Sequence, residues 1–370
     1  MVKLGEVASY INGYAFKPED RGSEGLPIIR IQDLTGNSYD LGYYSGNYPK
    51  KIEINDGDIL ISWSASLGVY TWNKGKALLN QHIFKVEFIE DSIDKKYFVY
   101  AVRKKIDEMI RKSHGATMKH IIKKDFEDTI IPYPTLEEQY KIADELDRIS
   151  KIIDMRNQEL RLHDDLIRAR FVEMFGEGLK DDGKFKLKPI SEIGQVVSGA
   201  TPKTSRYEYW NGDNVWITPA ELSDESFVIY DSERKLTYEG VDSCAVTLLP
   251  VGTVILSSRA PIGKVAIAGV EMYCNQGFKN IIPRNVVSSI YLYELLKMET
   301  EYLKSLGRGA TFKEISKQIV ENIRVKVPPI ELQNQFATFV NHVNKSKVEV
   351  KRALDEAQLL FDSLMQKYFG

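Results

Sequence analysis

The most constraining feature of this sequence is an internal repeat with a spacing of about 194 residues, the separation of Gly115 from Gly309. The matched segments are 115–118 with 309–312 (Gly-Ala-Thr-Met and Gly-Ala-Thr-Phe), 80–81 with 275–276 (Asn-Gln), 84–85 with 278–279 (Phe-Lys), and 134–139 with 328–333 (Pro-x-x-Glu-x-Gln). A repeat of this length is too long for a solenoid unit and has the size of a domain. The sequence therefore predicts two related modules in tandem, which favours a function that needs two binding surfaces.

The size and composition of the chain are compatible with two modules. Its 370 residues are enough for two domains, and with 43% hydrophobic and 11% aromatic residues each half can bury a core. The formal net charge is only −2, but residues 95–124 contain ten Lys or Arg. This run indicates either a solvated helix face or a surface that attracts nucleic acid, because the local field decides such binding.

Cysteines and hydrophobic runs indicate the environment of the protein. The two cysteines, Cys244 and Cys274, provide neither a disulfide framework nor a Cys-x-x-Cys metal site. No leader sequence and no apolar run of membrane-spanning length is evident. We therefore expect a soluble protein of a reducing compartment, the cytoplasm.

Both halves show the same predicted order of elements, so the expected fold class is mixed α/β (α+β). The predicted strands are 26–31, 58–63, 82–88 and 129–133 in the first half, and 215–218, 253–258, 278–282 and 322–327 in the second. The predicted helices before the two Gly-Ala-Thr motifs are 95–112 and 290–306. After Pro134 and Pro328, each half continues without Gly or Pro into a long predicted helix, up to Gly176 and Gly370.

The two long helices carry heptad repeats. The apolar positions are Ile142, Leu146, Ile149, Ile153, Leu160, Ile167 and Met174 in the first, and Phe336, Val340, Val343, Val350, Leu354, Ala357, Phe361, Leu364 and Tyr368 in the second. Arg156, His163 and Arg170 interrupt the first series, and Lys347 interrupts the second. The pattern predicts an antiparallel coiled coil of roughly 50 Å. The alternative is two amphipathic helices, each packed on its own domain.

These elements predict four segments. We expect one domain at residues 1–134 and a long helix at 135–175. A polar, flexible linker and a second domain follow at 176–328, and a second long helix at 329–370.

Motifs for catalysis are missing from the sequence. It has no phosphate-binding glycine loop, and 131–134 (Ile-Pro-Tyr-Pro) lacks the polar first residue of an adenine methyltransferase motif. Glu349-Val350-Lys351 resembles part of a nuclease motif but lies within a heptad, and the five histidines have no metal-site spacing. We therefore expect no catalytic site, no metal and no cofactor of its own.

The remaining polar signals indicate recognition of nucleic acid. Residues 199–212 mix cations with aromatics, as phosphate-binding and base-reading loops do, although Tyr209 and Trp210 are also expected to cap the core. Lys85 and Lys279 are either phosphate contacts or helix-end partners. Base specificity is expected where the halves differ. The predicted DNA-binding residues are Arg30, Gln32, Trp63, Ser64, Lys85, His114, Lys119, Lys123, Lys203, Thr204, Arg206, Tyr207, Thr218, Arg259, Lys279, Arg308, Lys313 and Lys317.

Taken together, the motifs resemble those of the specificity (S) subunits of type I restriction–modification systems. The resemblance rests on the Gly-x-Thr-Pro…Glu-Tyr-Trp-x-Gly-Asp-x-x-Trp run at 199–216, on Gly-Ala-Thr-x-x-x-Ile at 115–121 and 309–315, and on the two Pro-x-x-Glu-x-Gln helix starts. The first module departs from it, with Gly-Tyr-Ala-Phe-Lys-Pro at 13–18.

This resemblance implies two target recognition domains that are separated by two long antiparallel helices. Each domain would read one half of a bipartite, asymmetric site on double-stranded DNA, and the helices would set the spacer. It also implies assembly with two methyltransferase (M) subunits, which bring S-adenosylmethionine, and with restriction (R) subunits. The alternatives are the recognition subunit of a related system with fused cleavage and methylation, a free-standing enzyme, and a coiled-coil adaptor that binds only protein.

Overall fold

The computed structural model describes residues 1–37, 40–89, 93–112, 122–259, 261–309 and 313–370, without the side chains of 111 and 112. The chain divides into two compact units. Unit 1 contains Met1–Asn157 and Arg352–Gly370, and unit 2 contains Gln158–Lys351. Both boundaries fall inside a long helix. The Gly-Ala-Thr motif of the first half and most of that of the second half lie outside the described residues.

Unit 1 is built from short strands and helices that precede a long helix. In chain order its elements are β1 (Val2–Lys3), α1 (Leu4–Val7), β2 (Ala8–Asn12), β3 (Leu26–Ile29), α2 (Ile31–Leu34), β4 (Gly42–Tyr44), β5 (Glu53–Ile54), β6 (Ile59–Ser62), β7 (Gly68–Thr71), β8 (Ala77–Leu79), β9 (Ile83–Phe88), α3 (Lys95–Lys112), α4 (Lys123–Glu127), β10 (Ile130–Ile131) and the first part of α5 (Leu136–Phe175).

Unit 2 repeats this order after the end of α5. Its elements are β11 (Leu187–Pro189), α6 (Ile190–Ile193), β12 (Gly194–Ser198), β13 (Trp210–Ile217), β14 (Val228–Ile229), β15 (Arg234–Leu236), α7 (Tyr238–Asp242), β16 (Val254–Leu256), β17 (Val265–Ala268), β18 (Tyr273–Cys274), β19 (Lys279–Pro283), α8 (Ser289–Met298), α9 (Thr300–Ser305), α10 (Lys317–Asn322), β20 (Arg324–Lys326) and the first part of α11 (Ile330–Phe369).

The sheets of the two units share most of their strand order, although the first sheet has four strands in unit 1 and five in unit 2, and the second has four and three. In unit 1 the strand orders are β2-β9-β6-β7, β4-β3-β8-β5 and β1-β10. In unit 2 they are β12-β19-β16-β17-β14, β15-β13-β18 and β11-β20. Pairing is antiparallel except for β3 with β8, β13 with β18 and β14 with β17. The mixed α/β class and the internal repeat that the sequence predicts are therefore confirmed.

In each unit, a long-helix segment completes the hydrophobic core. The core of unit 1 joins strand residues such as Ile61 and Phe84 to Phe98 of α3, Leu146 of α5 and Phe369 of α11. The core of unit 2 is built in the same way and includes Phe171 of α5, Tyr291 of α8 and Phe336 of α11. The apolar heptad positions are thus covered partly by the other long helix and partly by the domain.

Contacts within unit 2 show that α5 and α11 run antiparallel. The rings of Phe171 and Phe336 are 5.4 Å apart, and the Nζ of Lys347 lies 2.7 Å from Oδ1 of Asp164. Moving back along α5 therefore means moving forward along α11. The ion pair also explains why a lysine is tolerated at a heptad position: Asp164 compensates its charge.

A buried glutamine fastens the start of each long helix. Gln139 is fully buried; its amide donates to the carbonyl oxygen of Pro134 at 3.0 Å and its Oε1 accepts from the backbone N–H of Asp94 at 2.9 Å. The matched partners of Gln333 are the carbonyl oxygen of Pro328 and the backbone N–H of Ser288, each at 2.8 Å. The Pro-x-x-Glu-x-Gln motif is thus a structural clamp.

Several element boundaries differ from the sequence prediction for tertiary reasons. The predicted helix 290–306 is two helices, broken at Glu299, whose carboxylate accepts a hydrogen bond from the backbone N–H of Leu179 at 3.0 Å. The predicted strand 26–31 ends at Ile29 because Arg30 caps α2. The linker after α5 is held in place, since Asp182 pairs with the buried Lys326 at 2.8 Å.

One predicted match is displaced by one residue. The sequence aligns Lys85 with Lys279. In the strand register, however, Phe84 faces the last residue of β2 and Lys279 faces the last residue of β12. Phe84 therefore occupies the position of Lys279. Because successive strand residues point to opposite faces, Lys85 and Lys279 lie on opposite faces of equivalent sheets.

Candidate nucleic-acid interface

Two tryptophans anchor the backbone of the loop 199–209 of unit 2 through hydrogen bonds. The buried indole of Trp216 donates to the carbonyl oxygen of Ala200 at 3.1 Å, and that of Trp210 donates to the carbonyl oxygen of Lys203 at 3.3 Å. The guanidinium of Arg234 lies 3.5 Å from the centroid of the Trp210 ring. Trp210 therefore caps a core, as expected, and the backbone of the loop is fixed.

The side chains on this loop remain exposed. Lys203, Thr204, Arg206 and Tyr207 all reach solvent, and Tyr207 is 86% exposed. The guanidinium of Arg206 approaches the carboxylate of Glu208 at 3.2 Å, a pair that water screens strongly. A rigid backbone that presents cations and a free aromatic ring suits contacts with phosphates and bases.

A second group of candidates in unit 2 meets around Lys279. The buried Nζ of Lys279 donates to Oε1 of Glu314 at 3.0 Å and to Oγ of Ser258 at 3.4 Å. The backbone of Glu314 pairs with Arg308 through two hydrogen bonds of 3.0 Å and forms a bridge with Arg259. The structure thus brings Lys279, Arg259 and Arg308 together.

Other candidates in unit 2 have different positions. Lys313 is exposed beside Glu314, and Lys317 is exposed on α10, where it pairs with Glu321 at 3.7 Å. Thr218 is half-buried, and both its N–H and its hydroxyl donate to the carboxylate of Glu221, at 2.6 and 2.9 Å. Its hydrogen-bonding groups therefore stabilise a turn.

In unit 1, Arg30 stands at the position that matches Thr218. Its side chain also forms hydrogen bonds within the protein. Its side chain is 15% exposed, donates to Asp33 at 3.1 Å and to the carbonyl oxygen of Asp40, and lies beside Gln32. Asp33 also accepts the N–H of Arg30 at 2.8 Å, just as Glu221 accepts that of Thr218. The two positions share a capping role despite their unlike side chains.

Trp63 is the centre of an aromatic group in unit 1. Its ring stacks on Phe84 at 5.6 Å and meets the edge of His82 at 4.9 Å. Its indole N–H donates to Oδ1 of Asn12 at 3.3 Å, and the neighbouring Ser64 is buried. Trp63 remains half-exposed, whereas Ser64 is not accessible to DNA in this conformation.

The remaining candidates of unit 1 are lysines and a histidine. Lys85 is 15% exposed and approaches Asp58 at 3.5 Å, and Lys123 donates to the carbonyl oxygen of Tyr10 at 2.9 Å. His114 and Lys119 lie outside the described residues. Lys85 and Lys279 thus each have an acidic partner, Asp58 and Glu314, and their assignment as phosphate contacts or helix-end partners stays a prediction.

Sequence reasoning missed two residues of the junction in unit 2. Gln276 accepts a hydrogen bond from the hydroxyl of Thr201, which ties the 199–209 loop to the Asn-Gln turn. Glu314 joins Lys279 to the segment that follows the Gly-Ala-Thr motif. For Gln276 the sequence signal was the repeated Asn-Gln pair at 80–81 and 275–276, and for Glu314 it was the position where the first copy of the motif has His120.

Within the described ranges, the chain has no group of three or more His, Cys, Asp or Glu side chains that could hold a metal ion. Both cysteines are free, and burial raises the pKa of the Cys274 thiol to about 12, which suppresses thiolate chemistry. No described helix is long and apolar enough to cross a membrane.

Comparison with known proteins relates both halves to one family. The family model "Type I restriction modification DNA specificity domain" matches residues 1–162 and 183–357. The type I restriction enzyme EcoBI specificity subunit of Escherichia coli is 32% identical over 406 aligned residues, which cover 100% of this chain and 85% of that protein. The MjaIX specificity subunit of Methanocaldococcus jannaschii is 41% identical over 198 residues, 52% of this chain and 45% of that relative's length.

Two solved structures share the fold. The crystal structure of a type I restriction–modification S subunit from M. genitalium has a TM-score of 0.61 at 15% identity and covers 100% of this chain and 95% of its own. A structure described under complex assembly and conformational transition of the type I R-M system has a TM-score of 0.57 at 19% identity and covers 99% and 96%. At these identities the likeness concerns the fold alone.

Proposed function

We infer the function from one premise: this chain belongs to the type I restriction–modification DNA specificity family. We propose that each of its two modules reads one half of a bipartite, asymmetric site on double-stranded DNA. The chain supplies no chemistry and no cofactor. Methyltransferase subunits with S-adenosylmethionine and restriction subunits carry out methylation and cleavage, in the cytoplasm where the DNA is.

One observation above all others supports recognition of two different half-sites by the two units. The strand order β2-β9-β6-β7 of unit 1 recurs as β12-β19-β16-β17 in unit 2, and the helix clamp recurs as well, while the side chains around Trp63 and Ser258 differ. A shared framework with unlike contact residues is what recognition of two unlike half-sites requires, because base readout depends on individual side chains.

The long helices are the proposed spacer. Each has 40 residues, about 60 Å at ~1.5 Å per residue. Two half-sites read from one side of a duplex lie about one helical turn, ~34 Å, apart. Insertion of one heptad in α5 should therefore change the spacer length that the complex prefers and leave both half-sites unchanged. An unchanged spacer would contradict this part of the proposal.

Exposed apolar side chains on these helices are the proposed docking surface for methyltransferase subunits. In unit 2, Leu162 and Leu166 of α5 are 57% and 49% exposed, and Val348 of α11 is 66% exposed. Leu162 and Leu166 lie one turn apart on the same face of α5, and neighbouring exposed apolar side chains of this kind are typical of protein interfaces. The double variant Leu162→Glu, Leu166→Glu should lose co-purification with the methyltransferase subunits.

A matched control separates docking from general surface effects. Val251 lies in a turn of unit 2 and is 64% exposed, so Val251→Glu adds charge at a similarly exposed apolar position. It should leave assembly intact. If the helix variant still assembles, the proposed docking surface is wrong.

Salt-dependent DNA binding is the first test of the function. We expect the chain to bind duplex DNA weakly when alone and with sequence specificity when assembled with its methyltransferase subunits. The affinity should fall steeply as the salt concentration rises. Electrophoretic mobility shifts with and without the partner measure this. Methylation or cleavage by the purified chain alone would contradict the non-catalytic role, and a lack of any DNA shift with the partner would contradict DNA recognition.

A further inference from the structure

Lys279 forms side-chain hydrogen bonds in addition to the backbone pairing of its strand, and we call the group Lys279, Ser258, Gln276 and Glu314 the junction. The side chain of Lys279 is 9% exposed, yet its ammonium reaches Glu314 at 3.0 Å, Ser258 at 3.4 Å and the carbonyl oxygen of Gln276 at 3.5 Å. An unpaired ammonium at this depth would be costly, and these acceptors compensate it. One side chain thus links its own segment, 276–279, to two segments that are distant in sequence, at Ser258 and at Glu314.

Each linked segment carries or holds candidate DNA-binding residues. Gln276 accepts from Thr201 and so ties in the exposed loop 199–209. Ser258 precedes Arg259, and Ile315 donates its N–H to the carbonyl oxygen of Ser258 at 2.9 Å. Glu314 is paired through its backbone with Arg308 and Arg259. A change in the position of Lys279 would therefore shift Arg259, Arg308 and the loop 199–209.

In unit 1, aromatic side chains make the contact that Lys279 and Ser258 make in unit 2. The register places Phe84 where unit 2 has Lys279, and Trp63 where unit 2 has Ser258. Phe84 stacks on Trp63 at 5.6 Å with an interplanar angle of 22°. The pair is thus a stacked aromatic contact in unit 1 and a hydrogen-bonded ammonium in unit 2.

From this geometry we propose that Lys279 is a positioning residue for half-site recognition by unit 2, with the Ser258–Lys279–Glu314 contacts holding its base-reading loops in one arrangement. It acts through Arg259, Arg308 and the 199–209 loop rather than by touching DNA. This inference rests on the proposed function, since it names the residue that organises one of the two reading surfaces.

The test compares base discrimination at the two half-sites. Methylated adenines in DNA modified by the complex with its methyltransferase subunits give the wild-type motif, and duplexes with one changed base pair at a time then measure discrimination. Lys279→Met should reduce discrimination at the half-site of unit 2 by about tenfold, within the range of a single mismatch, and leave the other half-site unchanged. Glu314→Gln should act in the same direction, and Lys279→Arg should retain most of the wild-type discrimination.

A lysine outside the predicted DNA-binding set provides the matched control. The side chain of Lys347 is 21% exposed and paired with Asp164 at 2.7 Å, but it lies on the long helix α11. Lys347→Met should alter neither half-site, and thermal unfolding of both variants checks that they fold. Equal loss at both half-sites, or no change on Lys279→Met, would overturn the positioning role. A wild-type complex without a bipartite preference would instead overturn the proposed function itself.

Discussion

The two units use the same hydrogen bonds to hold their frameworks and different side chains to hold their loops. The hydroxyl of Tyr97 donates to the carbonyl oxygen of Pro132 at 3.0 Å, and the hydroxyl of Tyr291 donates to that of Lys326 at 3.0 Å. These bonds end on backbone atoms, which every sequence provides, so they can persist while the side chains around Phe84 and Lys279 diverge. The comparison separates residues that preserve the fold from residues that are free to vary and so to determine which DNA sequence each unit binds.

The first way to test this comparison is through the lysines that cap the long helices. Lys326 is 1% exposed and donates to the carbonyl oxygen of Phe175 at 3.1 Å, and Lys105 donates to that of Phe369 at 3.1 Å but is 17% exposed. Lys326→Met should lower the free energy of unfolding of unit 2 by about 3 kcal/mol, because it removes the buried ammonium that donates to the carbonyl oxygens of Phe175 and Glu177. Lys105→Met should cost about 1 kcal/mol. Urea denaturation measures both, and equal losses would contradict the difference in burial.

The second test uses a buried carboxyl group, which only unit 2 has at this position. Glu294 matches Tyr100 of unit 1, and burial raises the pKa of the Glu294 carboxyl to about 7, with Lys297, Asp164 and Lys347 as its charged neighbours. A raised folded-state pKa gives stability that is present below pH ~4.5 and lost as pH rises through about 7. Between these limits unit 2 should lose about 3 kcal/mol.

Glu294→Gln isolates this effect. The amide keeps the size of the side chain and cannot ionise, so the difference in unfolding free energy between wild type and variant should grow from pH 5 to pH 8 in favour of the variant. Denaturation at both pH values measures the difference. A constant difference would show that Glu294 does not titrate in this range.

The third test concerns the clamp that both units share. Gln333→Ala and Gln139→Ala each leave a part-buried backbone N–H and a proline carbonyl oxygen without their side-chain partner, and Gln333→Ala also removes a hydrogen bond to the carbonyl oxygen of Val286. We expect each to cost about 2 kcal/mol in chemical denaturation. Similar costs would support a common framework, whereas a loss below about 0.5 kcal/mol in one unit would break the equivalence.

The smallest expected effect is at the heptad position of Lys347. Its partner Asp164 is 49% exposed, so water screens the pair. Lys347→Leu should change the free energy of unfolding by no more than about 0.5 kcal/mol. A loss of 2 kcal/mol or more would show that the ion pair, and not the apolar heptad residues, holds the helices together here.

Much of the fold was predictable because Pro and Gly mark the ends of its helices. The helix 95–112 was predicted with the bounds of α3, and the long helices begin two residues after Pro134 and Pro328. The break at Glu299 was not predictable, because it depends on a hydrogen bond with Leu179, far away in sequence. The predicted domain boundaries at 134, 175 and 328 stay predictions.

The candidate site was predictable in composition but not in geometry. The exposed side chains of Lys203, Arg206 and Tyr207 follow from a polar, aromatic loop. The match of Lys85 with Lys279 was wrong, because a shared Phe-Lys pair suggested a register that the strand pairing shifts by one residue. The partners of Arg30 also come from tertiary contacts that no local pattern indicates.

The central claim, that each unit reads its own half-site, is tested most directly by exchanging residues 185–328 for the corresponding segment of a related chain. The hybrid is assembled with its methyltransferase subunits, and methylated adenines in the modified DNA are sequenced. The account predicts that one half-site changes while the other half-site and the spacer stay the same. A change in both half-sites, or in neither, would contradict it.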